Sequence, residues 1–361
     1  MIAKRADEWD KLFHRKNGWT GADGIYSIPI SGNETINGSS SEKTLFVFSD
    51  TFISRVTNND RRLDWTIVNN THALLDGNMP LEEKTQFFWN QDSENQPLTL
   101  FVPETPQSQP GDWYWLMDGI MLENTARVFA LRMKSGVTGI FNFKIAGVAL
   151  ISFQLDGNGE IQAPLQEDAP IFYENPEDHQ EMVFGQALMP MLPESGTAGA
   201  DGYIYVYGPL NSAGTKALIA SRIKPADLQN YSAWRYWDGT DWVSDIRKSA
   251  PITDGISQEF SMSPLENGTF LLTFQNADDI CIRIGKSPIG PFGPMKRIYK
   301  APEPSQDPDV YAYNAKAHPH LSRPAELLIS YNVNTLCFAD HVIHSEIYRP
   351  RFIWLPLKEI V

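Results

Sequence analysis

The sequence is expected to fold as an all-β protein, a five-bladed β-propeller with its active site in the central channel. Three observations predict this. Short apolar runs rich in Ile, Val, Phe and Tyr, bounded by Gly, Pro, Asn and Asp, recur from one end to the other. Helical periodicity is nearly confined to residues 4–16, where Trp9, Leu12 and Phe13 could form a short helix, and to a turn near Pro225–Tyr231. The runs also fall into about five groups of about four, each some 60–80 residues long, which is blade arithmetic. Two stacked β-sandwiches are the competing arrangement; the polar insert and Pro-rich connections would then be linkers.

Taken in order, the first group (residues 19–96) opens with GADGIYSIPI and TLFVFSDTFI, separated by the insert SGNETINGSSSEK, and continues with WTIVNNTHALLDG and KTQFFWN. The insert reads as a solvated hairpin loop, because Ile36 is its one large apolar residue. Pairing of the first two runs from Gly21 to Ile53 as one hairpin would set Asp23 beside Asp50. A Pro-rich connection at 97–110 leads to the second group (111–176), with WYWLMDGIML, TARVFALRMK and VALISFQL. The third (181–245) holds MVFGQALMPM, GYIYVYGPL and TKALIASRI, and the fourth (255–303) QEFSMSPL, TFLLTFQ and DDICIRIGKS. The fifth (310–361) closes the chain with YNAKAHPHL, ELLISYNVN and YRPRFIWLPL. One domain, residues 1–361, uses the whole chain.

Bulk properties narrow the function. The net charge of −14 and pI near 4.9 argue against nucleic acid or an anionic membrane as partner. Ten Trp and 12% aromatic residues suit sugar stacking as well as sheet packing. Cys281 and Cys337 make no disulfide framework. The N-terminus lacks the apolar core of a signal peptide, so a cytoplasmic protein is expected, or a secreted one if a leader preceded Met1. No run reaches the ~18 apolar residues of a membrane span. Oligomeric state is not legible.

In a propeller the first strand of each blade lines the channel, so polar residues in those strands are informative. Read in turn they are Asp23, Asp118, Gln186, Glu259 with Ser261 and Ser263, then Asn314 and His318, with Asp50 joining from a second strand. Trp19, Tyr26, Trp113 and Trp115 are available to stack on a sugar ring. Each has a plainer role open to it: Asp-Gly is a common turn dipeptide, Asp50 could brace a turn, and His318 could be packed against backbone. Three carboxylates with a Gln and a His facing one funnel point to work on an acetal. No cofactor is required and no spacing demands a metal, although a channel-bound Ca2+ or other ion fits such a site.

The pair ADGIYS and LFVFSDTFI, the later GYIYVYG, the turn GKSPIGPFGP and the closing AKAHPHL with LLISYN together resemble a family of five-bladed propellers. That family was long catalogued only as domains of unknown function and includes endo-acting D-arabinan hydrolases. More remotely the sequence is similar to the arabinanase, xylosidase and fructosidase propellers. The likeness runs from about Trp19 to Leu357 and implies glycoside hydrolysis with Asp23 and Asp50 as the acidic pair. Arabinanase-type propellers carry an Asp in each of the first two blades and a Glu general acid in the third. Asp23 and Asp118 match the first two, but the third-blade strand offers Gln186, an amide that cannot donate a proton as a carboxylic acid does. Weight therefore shifts to Asp23 with Asp50, with Asp118 orienting them and raising the acid's pKa. In a transferase or phosphorylase on the same scaffold a sugar or phosphate would replace water, and phosphorolysis would need a cationic pocket, which Arg55, Arg61, Arg62 and Lys316 could supply. A non-catalytic carbohydrate-binding propeller would hold its carboxylates too far apart to cooperate.

Overall fold

The computed structural model describes residues 2–36, 43–136, 142–195 and 197–360. Five large sheets follow one another along the chain. The first comprises Tyr26–Pro29, Lys43–Phe48, Thr71–Asp76 and Thr85–Phe88, and the second Trp113–Leu122, Thr125–Ser135, Phe143–Leu155 and Ile161–Ala169. The third is built on Ala187–Met191, Tyr203–Ser212 and Thr215–Ile223 and extended by short strands to eight. The fourth comprises Phe260–Pro264, Phe270–Asn276, Asp279–Gly285 and Lys296–Lys300. Val310–Ala317, Glu326–Thr335 and Pro350–Pro356 make the fifth, with Lys4–Arg5 as its outer strand. Every pairing is antiparallel.

The leading strand of each sheet packs against the leading strand of the next, from Tyr26–Pro29 round to Val310–Ala317. The circuit is shut between fifth and first sheets by His318 Nδ1 to Ser27 Oγ at 2.7 Å, and Asn332 Nδ2 donates to the carbonyl of Ala22, just ahead of the first sheet, at 3.0 Å. The fold is therefore an all-β propeller. Its apolar residues lie between adjacent sheets: Leu45, Phe129, Ile151 and Val206 join the first three, Leu272 and Tyr207 the third and fourth, and Leu271 and Ile329 the last two. Fully burying one such side chain contributes about 1.5–3 kcal/mol.

Three local expectations are corrected. The helix expected over 4–16 is shorter, Asp7–Leu12, because residues 4–5 are taken by the open edge of the last strand, Lys4 opposite Trp354. The Gly21–Ile53 runs do pair, but not as one hairpin. Ala22 opposite Thr51 belongs to a separate three-stranded sheet (Asn17–Ala22, Thr51–Val56, Arg62–Val68), while Tyr26 opposite Val47 belongs to the first large sheet. The split falls at Asp23 and Asp50, where Gly24 takes a left-handed φ of 62° and lies so close to Ser49 that a Cβ would stand 2.6 Å from its hydroxyl. The insert after Ile30 is not simply solvated: Ile36 is buried with Leu265 and Ala3, and Glu34 reaches inward; residues 37–42 lie outside the described residues. Cys281 and Cys337 are both free. Among the described residues no helix is long and apolar enough to cross a membrane.

Candidate active site

Asp23 and Asp50 meet where the two sheets part. The Asp23 N–H donates to the Asp50 carbonyl at 3.3 Å, and the Ser49 N–H to the Asp23 carbonyl at 3.0 Å, so the backbone itself fixes the pair side by side. Both side chains are half-buried. Burial pushes Asp23 up to about 8, helped first by the negative charge of Asp50 and then by that of Glu259. Burial raises Asp50 less, to about 6, because Asn69 Nδ2 donates to its Oδ1 at 3.1 Å. The Trp115 indole N–H approaches Asp50 and favours its charged form without completing a hydrogen bond. Such a pair holds one proton between two carboxyls near neutrality.

Aromatic hydroxyls supply the rest of this end. Tyr313 donates to Asp23 Oδ2 at 2.8 Å, Tyr311 packs on Tyr313 with ring centres 5.5 Å apart, and the Tyr348 hydroxyl faces the same carboxyl. Tyr348 comes from a segment anchored by Arg62, whose buried guanidinium donates to the carbonyls of Thr20, His341, Ser345 and Ile347. That approach requires Gly21: a Cβ there would stand 2.2 Å from the Tyr348 carbonyl oxygen and 2.6 Å from Arg62 Nη2.

A polar plug separates this cluster from a second one. Tyr26 donates to Gln186 Oε1 at 2.9 Å, and Lys316 lies with Nζ 4.1 Å from the centre of the Tyr26 ring while donating to Glu259 Oε2 at 3.0 Å. A small cavity of about 40 Å³, room for a water or two, is lined by Tyr26, Glu34, Asp118, Ser261, Lys316 and His318 among others. Asp118 does not orient the Asp23–Asp50 pair. Its Oδ2 accepts the Leu188 N–H at 2.7 Å and its Oδ1 the Gly119 N–H at 2.9 Å. Burial, then the charge of Glu34, pushes it up to about 7. The acidic neighbour that raises Asp23, besides Asp50, is therefore Glu259.

The other expected residues divide. Trp115 is half-buried beside Asp50, and Glu259 faces Asp23. Trp19 is corrected outright: it is 1% exposed and packs among Phe13, Phe48 and Phe87, with no face left for a sugar. His318 keeps no free nitrogen, since Ser27 and Ser330 engage both, and burial holds it well below the ordinary imidazole range. Ser261 accepts the Ala317 N–H at 2.7 Å and joins fourth sheet to fifth. Asn314 is buried at a bulge with a left-handed φ of 62°, and Gln186 is a fully buried bracket for Tyr26. Asn69, Tyr313, Tyr348 and Glu34 went unread in the sequence. Their segments carry no motif, and ring closure alone brings residues some 290 apart, such as Tyr313 and Asp23, into contact. One three-residue group able to hold a metal, His14, Asp60 and Glu346, occurs among the described residues; it shares none with the channel, and Lys16 already donates to Asp60 at 2.6 Å.

Fold and site together define a β-propeller that presents a pair of interacting aspartates between aromatic hydroxyls. The sequence model of a family described as "Domain of unknown function (DUF5005)" matches residues 6–356, and the chain belongs to that family. Among curated proteins none matches the sequence. A Bacteroides ovatus ATCC 8483 protein, described provisionally as a hydrolase, superposes with a TM-score of 0.72 at 19% identity, covering 98% of this chain and 89% of its own. An α-L-arabinofuranosidase from Clostridium thermocellum ATCC 27405 gives a TM-score of 0.45 at 9% identity, covering 85% and 82%. A levansucrase variant from B. megaterium gives 0.45 at 10%, covering 98% and 88%.

Proposed function

We propose that this protein is a glycoside hydrolase that cleaves a furanoside-type, arabinan- or fructan-like, oligo- or polysaccharide with Asp23 and Asp50. The observation that carries this reading is the pair itself: two half-buried carboxyls fixed side by side by the Asp23–Asp50 backbone bond, so that the charge of Asp50 bears on Asp23. Glycoside cleavage needs one carboxylic acid to protonate the leaving oxygen and one carboxylate to attack the anomeric carbon or activate water. A pair holding one proton at neutral pH supplies both. The half-buried setting strengthens attraction between the ionised member and the oxocarbenium-like transition state. Trp115 and Tyr311 offer apolar faces beside the pair for a sugar ring.

The alternatives fit less well. A phosphorylase needs cations at the mouth, but Arg55 pairs with Asp64, Arg62 is spent on carbonyls and Lys316 is held by Glu259. A binding module has no use for two carboxyls driven together against their repulsion. The test is hydrolysis of furanoside aryl-glycosides and of arabinan and fructan oligomers, with the product anomer followed by NMR. Asp23→Asn and Asp50→Asn should each lower kcat by roughly 10²–10⁴ while leaving the fold intact. Retained turnover in both variants would remove the pair from the mechanism.

A further inference from the structure

We propose that Trp65 and Phe338 form an aromatic ledge that holds sugar residues of an arabinan- or fructan-like chain beyond the residue being cleaved, so that the substrate is an extended glycan rather than a lone terminal sugar. The inference rests on the hydrolase reading and follows from the register of the small three-stranded sheet. Phe52 lies opposite Ile67 in that sheet, and one step beyond the pairing Asp50 accepts the Asn69 side-chain N–H at 3.1 Å. Side chains two apart in a strand share a face. Asp50 and Phe52 therefore look the same way as Asn69, Ile67 and Trp65, and the Trp65 ring accordingly lies 6.1 Å from that of Phe52. The opposite face, with Ile53 and Val68, packs into the core beside Trp19. The indole on the acid pair's side of this sheet is Trp65.

On that side the rings make a continuous array. Tyr348, which faces both aspartates, meets Phe52 at 5.5 Å and His341 at 5.2 Å between ring centres. Phe52 and His341 in turn meet Phe338 at 6.4 and 5.6 Å, and Phe338 meets Trp65 at 5.6 Å. The inner members, Phe52, His341 and Tyr348, are buried, whereas Trp65 is 40% and Phe338 51% exposed. The outer rings are held from beneath. The Arg62 guanidinium sits 4.6 Å from the centre of the Phe52 ring, and His341 fixes the short helix Phe338–Ile343 by bonding Asn334 at 2.7 Å. An exposed aromatic face supported in this way loses little freedom when a sugar stacks on it. Trp65 stands four positions before Asn69, about 13 Å along an extended strand, which is further than one sugar ring reaches from the acid pair. Its occupant is a later residue of the same glycan.

The test is an NMR titration of 15N-tryptophan-labelled Asp50→Asn protein, which keeps the chain uncut, with arabinan and fructan oligosaccharides of increasing length. The Trp65 indole resonance is identified by its absence in Trp65→Phe. It should move with the longer oligosaccharides and stay still with the monosaccharides. Kd for the longest chain should rise roughly tenfold in Trp65→Ala and in Phe338→Ala, and much less in Trp65→Phe, which keeps a stacking face. With Asp50 intact, the ratio of kcat/KM on that chain to kcat/KM on an aryl monoglycoside should fall by a similar factor in Trp65→Ala. Hydrolysis with an unmoved Trp65 resonance and a KM independent of chain length would overturn the ledge and leave the hydrolase reading standing. A moving resonance without turnover in the wild type would do the reverse. If no oligosaccharide moves the resonance, the ledge is refuted. It is refuted equally by a dimer in sedimentation that Phe338→Ala dissociates with saccharide affinity unchanged, which would give this face to a second copy of the chain.

Discussion

The two acidic clusters on either side of the Tyr26 plug use the same residue types and differ in what their polar atoms already hold. At one end, Asp118 spends both oxygens on backbone N–H groups, His318 spends both nitrogens on serine hydroxyls, and Ser261 accepts a backbone N–H. These groups tie neighbouring sheets together across the channel and have little left to offer a ligand. At the other end, Asp23 keeps one oxygen unpartnered, and Asp50 accepts one side-chain hydrogen bond. Both clusters contain carboxyls pushed upward by burial, so raised pKa values do not distinguish a site from a bracket. The hydrogen-bond inventory does.

The largest expected effect separates the two ends by parallel substitution. Asp50→Asn should cost roughly 10²–10⁴ in kcat with little change in Tm. Asp118→Asn should change kcat by less than about tenfold but destabilise the fold by about 1–3 kcal/mol, because the new amide NH2 meets a backbone donor. Paired kinetics and denaturation of the two variants check this, and a reversed pattern would exchange the roles of the ends.

Next in size is the pH dependence of stability. Asp23, Asp50 and Asp118 all titrate above the ordinary Asp value, so the folded chain retains protons that the unfolded chain has released. Their contribution therefore declines as pH rises from about 4 through about 8, the opposite of a salt-bridged carboxylate. The Tm of wild type should fall across that window, and the slope should be shallower in Asp23→Asn, as calorimetry at several pH values would show. The smallest effect is expected at the plug itself: Tyr26→Phe removes one hydrogen bond to Gln186, about 0.5–1.5 kcal/mol of stability, and leaves kcat within about threefold. A large kinetic loss there would mean that the two ends communicate.

Much of this architecture was legible because sheet residues are chosen by a local rule. The runs TLFVFSDTFI and TFLLTFQ state their strand character in a few positions, and strands form over both. The Asp23–Asp50 encounter was legible too, since both flank strands joined by a single loop. What stayed hidden depends on long-range closure. Tyr313, Asn334 and Tyr348 lie about 290 residues or more from Asp23 and become its neighbours only when the fifth sheet reaches the first. Trp19 was misread for a different reason: an indole suits a sugar platform and a hydrophobic core equally well, and only the surrounding Phe13, Phe48 and Phe87 decide between them.

The pairing of Lys4–Arg5 with Ile353–Trp354 has a temporal consequence. During synthesis, Lys4 and Arg5 must wait for a partner made some 350 positions later. Until then the fifth sheet lacks its outer strand. Assembly of the acid pair's surroundings likewise awaits Tyr313 and Tyr348, and a nascent chain cut short of them would carry both aspartates without the tyrosines that face them.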